Sequence, residues 1–162
     1  MLATSLGLLL IVYGAGVTRV WRRAGYGRGV RPGEALAFAA GWLAIAVALS
    51  PPVDQLSDTW QAAHMIQHEL LMVVAAPLVA VSAPLIATLW AVPAGLRRRA
   101  LDTIRRRPVS AVWAFVTAPA AVFLLHAIAL WVWHIPALYD YALEHEAMHV
   151  VQHACFFGSA AL

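Results

Sequence analysis

The sequence predicts an all-α, polytopic membrane helix bundle, a single integral membrane domain over residues 1–162 with about five transmembrane helices. Three observations predict it. The chain is 62% hydrophobic and 12% charged, with a mean hydropathy of +0.75, whereas soluble domains are about half apolar and about a quarter charged. Its apolar segments are continuous runs rather than period-two alternations, which indicates helices and not a barrel. All eleven basic residues are Arg, gathered in two clusters beside apolar segments, the arrangement that sets membrane orientation. That placement also argues against nucleic acid as a partner, despite a pI near 9.6. The single cysteine, Cys155, excludes an internal disulfide and any all-cysteine zinc or iron–sulfur site.

The first span covers about 2–20. Basic residues follow it rather than precede it, so it does not read as a secretory signal peptide. Arg19, Arg22, Arg23, Arg28 and Arg31 lead through a Gly-rich loop to Pro32-Gly33. The positive-inside rule makes this loop cytoplasmic and puts the N-terminus outside. The second span covers about 34–49 and is ended by Pro51-Pro52. The loop from Val53 to Asp58 carries Asp54 and Asp58 but no Arg, so it is expected outside. The third span, about 58–82, has Ser57 or Asp58 as its N-cap and Trp60 at the interface. It holds His64, His68 and Met72, with a kink expected at Pro77.

Residues 85–107 are expected as a cytoplasmic amphipathic connection. Its apolar start is too short to cross a bilayer, and Arg97, Arg98, Arg99, Arg105, Arg106 and Arg107 follow, suited to topology and lipid headgroups. The fourth span, about 109–133, contains Pro119, a second expected kink, and His126. It ends at His134-Ile135-Pro136, with Trp131 and Trp133 as interface anchors. The loop from Ile135 to Glu144 has Asp140 and Glu144 and no Arg, so it is expected outside. The fifth span covers about 141–162 and carries His145, His149 and His153. Both Arg-rich loops then lie in the cytoplasm and both acidic loops outside.

One pentapeptide is written twice: His64-Met65-Ile66-Gln67-His68 and His149-Val150-Val151-Gln152-His153. On a helix, each His pair sits at i and i+4 and leaves one face a turn apart. Two ring nitrogens so placed can reach one metal ion. A histidine in an apolar span is costly unless it faces a partner or a polar cavity, and the topology puts all seven histidines in the outer half of the membrane. His64, His68, His149 and His153 are therefore the leading metal ligands, with His126, His134 and His145 in reserve. The alternative for each pair is a satisfied or proton-carrying polar pair.

Met72 continues the face of His64 and His68, and Met148, Gln152 and Cys155 form a stripe beside that of His145, His149 and His153. Imidazole with thioether and thiol suits copper, above all cuprous copper, although Met also fills gaps and Cys packs as a small apolar residue. Zinc suits the imidazoles as well. Gln67 and Gln152 are candidates for fixing imidazole tautomers. Glu69 is either a proton-handling carboxylate or a side chain snorkelling to the interface.

Two stretches carry a family resemblance. The first is Thr59-Trp60-Gln61-Ala62-Ala63-His64-Met65-Ile66-Gln67-His68-Glu69-Leu70-Leu71, continuing through Ala76-Pro77-Leu78 to Ala83-Pro84. The second is Trp131-Val132-Trp133-His134-Ile135-Pro136-Ala137-Leu138-Tyr139-Asp140, followed by His145, His149 and His153. In these the chain resembles the CtaG-like assembly factors of caa-type cytochrome c oxidase, a bacterial polytopic membrane family. The resemblance implies the bacterial cell (inner) membrane and a role in maturing the oxidase. It also implies handling of copper for the metal centres on the outer face, with oxidase subunits or another copper protein as partners. Members usually continue past the fifth span, so either a short member or a fragment is expected.

The leading expectation is thus a non-enzymatic assembly factor that binds or hands over copper. Second is a haem-binding membrane protein with one His ligand from each of two helices, which leaves the i+4 partners without a role. A proton-coupled transporter would need ionisable groups in the inner half, where only Glu34 stands, at the edge. A hydrolase is last, since no nucleophile has an evident base and Glu69 alone could serve a zinc-bound water. A shared ion requires nitrogens from the two pentapeptides within about 6 Å, given bonds near 2 Å.

Overall fold

Proline opens five helices of this chain, at Pro32, Pro51, Pro84, Pro119 and Pro136. The first helical turn suits proline because the N–H it lacks would have no intrahelical acceptor there. The computed structural model describes residues 2–162, except the side chains of residues 2, 3, 54 and 58. Asp54, and Asp58 with its proposed capping role, therefore lie outside the described residues.

The chain is 85% helical, with no strand among the described residues. In order come α1 (Leu2–Ala24), α2 (Pro32–Ala48), α3 (Pro51–Thr59) and α4 (Gln61–Glu69). A π-helical turn over Leu70–Ala75 leads to α5 (Ala76–Ala80), then α6 (Pro84–Ala91), α7 (Ala94–Ile104) and α8 (Arg107–Val116). The chain finishes with α9 (Pro119–Trp133), α10 (Pro136–Glu144) and α11 (Glu146–Ala160). Two helical stretches, Thr4–Ala24 and Gln61–Ala80, are long and apolar enough to cross a membrane. The number rises to four if the bent pairs α2–α3 and α8–α9 each count as one span.

Several boundaries differ from those expected of the sequence. The two segments expected as outside loops are helices: Pro51-Pro52 start α3 as well as stopping α2, and Pro136 starts α10. The third span does not begin at an N-cap of Ser57, which is buried within α3. It begins after a single extended residue, Trp60 (φ −132°, ψ 106°). His145 (φ −128°, ψ 104°) divides the expected fifth span in the same way, leaving α11 with 15 residues. The expected surface connection over 85–107 is two helices of different kinds. α6 packs along α1 with Ala87 fully buried, whereas α7 buries no residue.

The chain divides into two compact units. The unit of Met1–Trp42 and Leu78–Ala114 has a core of Tyr13, Val17, Val20, Val30, Phe38 and Ala87. Tyr13 and Phe38 stack at 3.6 Å, and the Tyr13 hydroxyl donates to the buried Ser82 carbonyl at 2.7 Å. A Cβ on Gly16 would lie 2.6 Å from the Ala87 carbonyl carbon, so glycine there permits the close approach of α1 and α6, as small residues do between membrane helices.

The unit of Leu43–Pro77 and Phe115–Leu162 holds both pentapeptides. α11 packs against α9, α10 and the π-helical turn. That turn precedes Pro77, whose ring has no N–H and would collide with the carbonyl four residues back in a regular helix. Widening relieves the collision, and the Ala76 N–H donates instead to Leu71, five residues back.

Candidate metal centre

The two pentapeptides sit in one repeated frame. Each frame has a nine-residue helix opened by proline, α3 or α10. One extended residue follows, Trp60 or His145, and then a helix whose fourth residue is the first histidine, His64 or His149. The amides match too. Ala63 and His64 donate to the Trp60 carbonyl, and Met148 and His149 donate to the His145 carbonyl. Buried positions recur in step: Ser57 with Ala142, Gln67 with Gln152, His68 with His153, and Leu71 with Phe156.

This frame brings four imidazoles together. Ring centroids are 4.4 Å apart for His64–His68, 4.3 Å for His149–His153, 5.1 Å for His64–His149 and 5.0 Å for His68–His153. One ring nitrogen each from His64, His68 and His149 lie within 4.8 Å of one another. Two nitrogens bound to one ion at about 2 Å stand at most about 4 Å apart, so an inward shift of less than an ångström completes three-fold ligation. His64 and His68 are 1% and 2% exposed. Both ring nitrogens of His68, and Nε2 of His153, are buried with no hydrogen-bond partner among the described residues. Buried polar atoms ordinarily have partners, and a cation that accepts nitrogen lone pairs fits this donor set.

The other three histidines stand outside the four-ring cluster. His126 pairs through Nδ1 with the Ser159 hydroxyl at 2.9 Å and lines a separate cavity of about 360 Å³ with Met72. His134 donates from Nδ1 to the Leu130 carbonyl at 2.7 Å and stacks on Phe156 and Tyr139. His145 is exposed, donates from Nδ1 to the Tyr141 carbonyl at 3.0 Å and forms the joint before α11. Glu69 is exposed. Met72, Met148 and Cys155 pack around the buried trio of Trp133, Ala142 and Phe156.

The two glutamines differ. Gln67 Nε2 donates to the Ala48 carbonyl at 2.8 Å, whereas the Gln152 amide is buried without a partner among the described residues. Two neighbours of the cluster escaped the sequence reading. The Tyr139 ring meets His64 edge-on at 5.8 Å, and Phe156 meets His68 edge-on at 4.8 Å. Phe156 had a signal, since it lies three residues after His153 and so near its face.

Apolar helices around a buried polyhistidine cluster define a helical membrane protein with a site that could hold a metal. The chain belongs to the cytochrome c oxidase caa3 assembly factor family (Caa3_CtaG), whose profile matches residues 11–162. No curated protein and no solved structure matches the chain.

Proposed function

We propose that the chain is a non-enzymatic assembly factor of the bacterial cell membrane. It takes up copper as cargo through His64, His68 and His149, with His153 as the adjoining imidazole. It passes the ion to a cytochrome c oxidase subunit or another copper protein docked on the outer face. The observation that carries this reading is the convergence of three ring nitrogens within 4.8 Å from two helices distant in sequence. Family membership supports the acceptor. Met72, Met148 and Cys155 around the neighbouring core favour a soft cuprous ion over zinc. A five-span arrangement, N-terminus outside and both Arg-rich loops in the cytoplasm, puts the histidines toward the outer side.

The chain's own residues supply capture and release. Neutral imidazoles replace the ion's water, and the surrounding apolar helices exclude solvent. Ligands arranged as two equivalent pairs allow an acceptor to replace one pair while the other still holds. The test is metal analysis of purified protein loaded in parallel with cuprous copper and with zinc, wild type against a His64→Ala, His149→Ala double variant. Copper loading should fall at least about tenfold in the variant, the order lost even when groups that merely orient ligands are removed. An unchanged copper content would exclude this site, tighter zinc retention would exclude copper as cargo, and a Soret band in the purified protein would favour haem.

A further inference from the structure

A cleft of about 400 Å³ lies in the other unit, where the end of α1 meets the turn between α6 and α7. Arg19, Arg22, Arg23 and Arg97 line it with Trp90, and no acidic side chain does so among the described residues. Two of the guanidinium groups are held in place. Arg19 Nη1 donates to the Trp90 carbonyl at 3.4 Å and also to that of Ala91. The Arg97 guanidinium stacks over the Trp90 ring at 4.2 Å, a cation–π contact. α7 begins at Ala94 in the cleft wall, and its first amides, which have no intrahelical acceptor, add partial positive charge.

Four like charges around one cleft repel one another until an anion joins them. Guanidinium forks match phosphate oxygens in a bidentate manner. The cleft sits at the C-terminal end of the apolar stretch Thr4–Ala24, where a membrane helix leaves the hydrocarbon and Trp residues collect. We propose that this cleft binds the phosphodiester headgroup of an anionic phospholipid, with the acyl chains running back along the apolar surface of α1. The position at the end of a span favours a lipid over free phosphate, which shares the same chemistry.

The test is native mass spectrometry of the delipidated 162-residue chain in detergent, titrated separately with phosphatidylglycerol, phosphatidylcholine and inorganic phosphate. An Arg22→Gln, Arg97→Gln variant should bind phosphatidylglycerol about 30-fold more weakly, since each arginine near a membrane surface contributes about fivefold. An Arg105→Gln, Arg106→Gln control, with the same charge change outside the cleft, should stay within about twofold. Circular dichroism checks folding, and Arg23→Gln alone, expected to lose about fivefold, serves if the double variant does not fold. Equal weakening in the control would overturn the proposal. So would phosphatidylcholine binding as tight as phosphatidylglycerol. Saturation by inorganic phosphate at the concentrations where the lipid saturates would replace the lipid with the free ion.

Discussion

Phe156→Ala is the substitution that best tests how the imidazole cluster is held. Phe156 is fully buried, packs with Trp133 and Ala142, and puts its ring edge-on to His68 at 4.8 Å and beside His134 at 6.0 Å. In a soluble core, Phe→Ala costs about 3–5 kcal/mol, of which part is transfer from water. Here lipid is as apolar as the protein interior, so the transfer part largely disappears and packing remains. A cavity of about 100 Å³ at about 24 cal/mol per Å³ leaves a cost of about 2.4 kcal/mol. The ligand effect is separate. His68 loses the wall that fixes its ring, and re-immobilising a mobile side chain costs about 0.5–1.5 kcal/mol, a weakening of copper binding by about two- to tenfold. Reversible unfolding in mixed micelles measures the first quantity, and copper titration against a chelator of known affinity measures the second. Phe157→Ala, at a half-buried neighbouring position, is the comparison. Phe156→Ala as stable as Phe157→Ala, with copper affinity unchanged, would refute the reasoning.

Four further outcomes are expected. Gly16→Leu should abolish the close approach of α1 to α6 and lower the yield of folded protein sharply, whereas Gly14→Ala, where a Cβ meets nothing within 4 Å, should behave as wild type by gel filtration. Gln67→Leu should cost about 1 kcal/mol by leaving the Ala48 carbonyl unpaired, and Gln152→Leu should be near neutral without metal, because its amide has no partner among the described residues; unfolding midpoints compare them. His145→Ala and His126→Ala should retain copper loading, and His68→Ala should lose most of it, read by metal analysis. Acidification should reduce loading once the imidazoles take up protons, since a ligand nitrogen must be free of its proton; a chelator competition series across pH measures where this falls.

Much of the plan was legible in the chain, for particular reasons. The apolar runs and Arg clusters spoke directly, because the cost of charge in lipid leaves few choices of fold. The His-x-x-Gln-His repeat placed two imidazole pairs by helical spacing alone, and their meeting followed from placing both near one end of their helices. What escaped were single-residue joints. Trp60 and His145 leave the helical region without glycine or proline to mark them, so two interrupted helices read as one long span. Pro51 and Pro136 look like stops in the sequence although each also starts a helix, because the same missing N–H suits both positions. The division of the seven histidines was equally hidden. His126, His134 and His145 are expected at the depth of the four-ring cluster, but Ser159 and the backbone carbonyls of Leu130 and Tyr141 occupy their Nδ1 atoms, and such local bonds leave no periodic trace.

The matched joints at Trp60 and His145 carry a mechanical consequence. Each works as the zero mark of a ruler, from which the first imidazole is counted four residues along the helix. Inserting one alanine between His145 and His149 would turn the second pair by about 100° and advance it by about 1.5 Å, swinging both rings off the shared face while leaving every histidine in the chain. Adding the same residue after His153 would leave the rings where they are. The four-ring cluster is therefore specified by register as much as by composition, and a chain with all seven histidines intact can lose it by one residue counted in the wrong place.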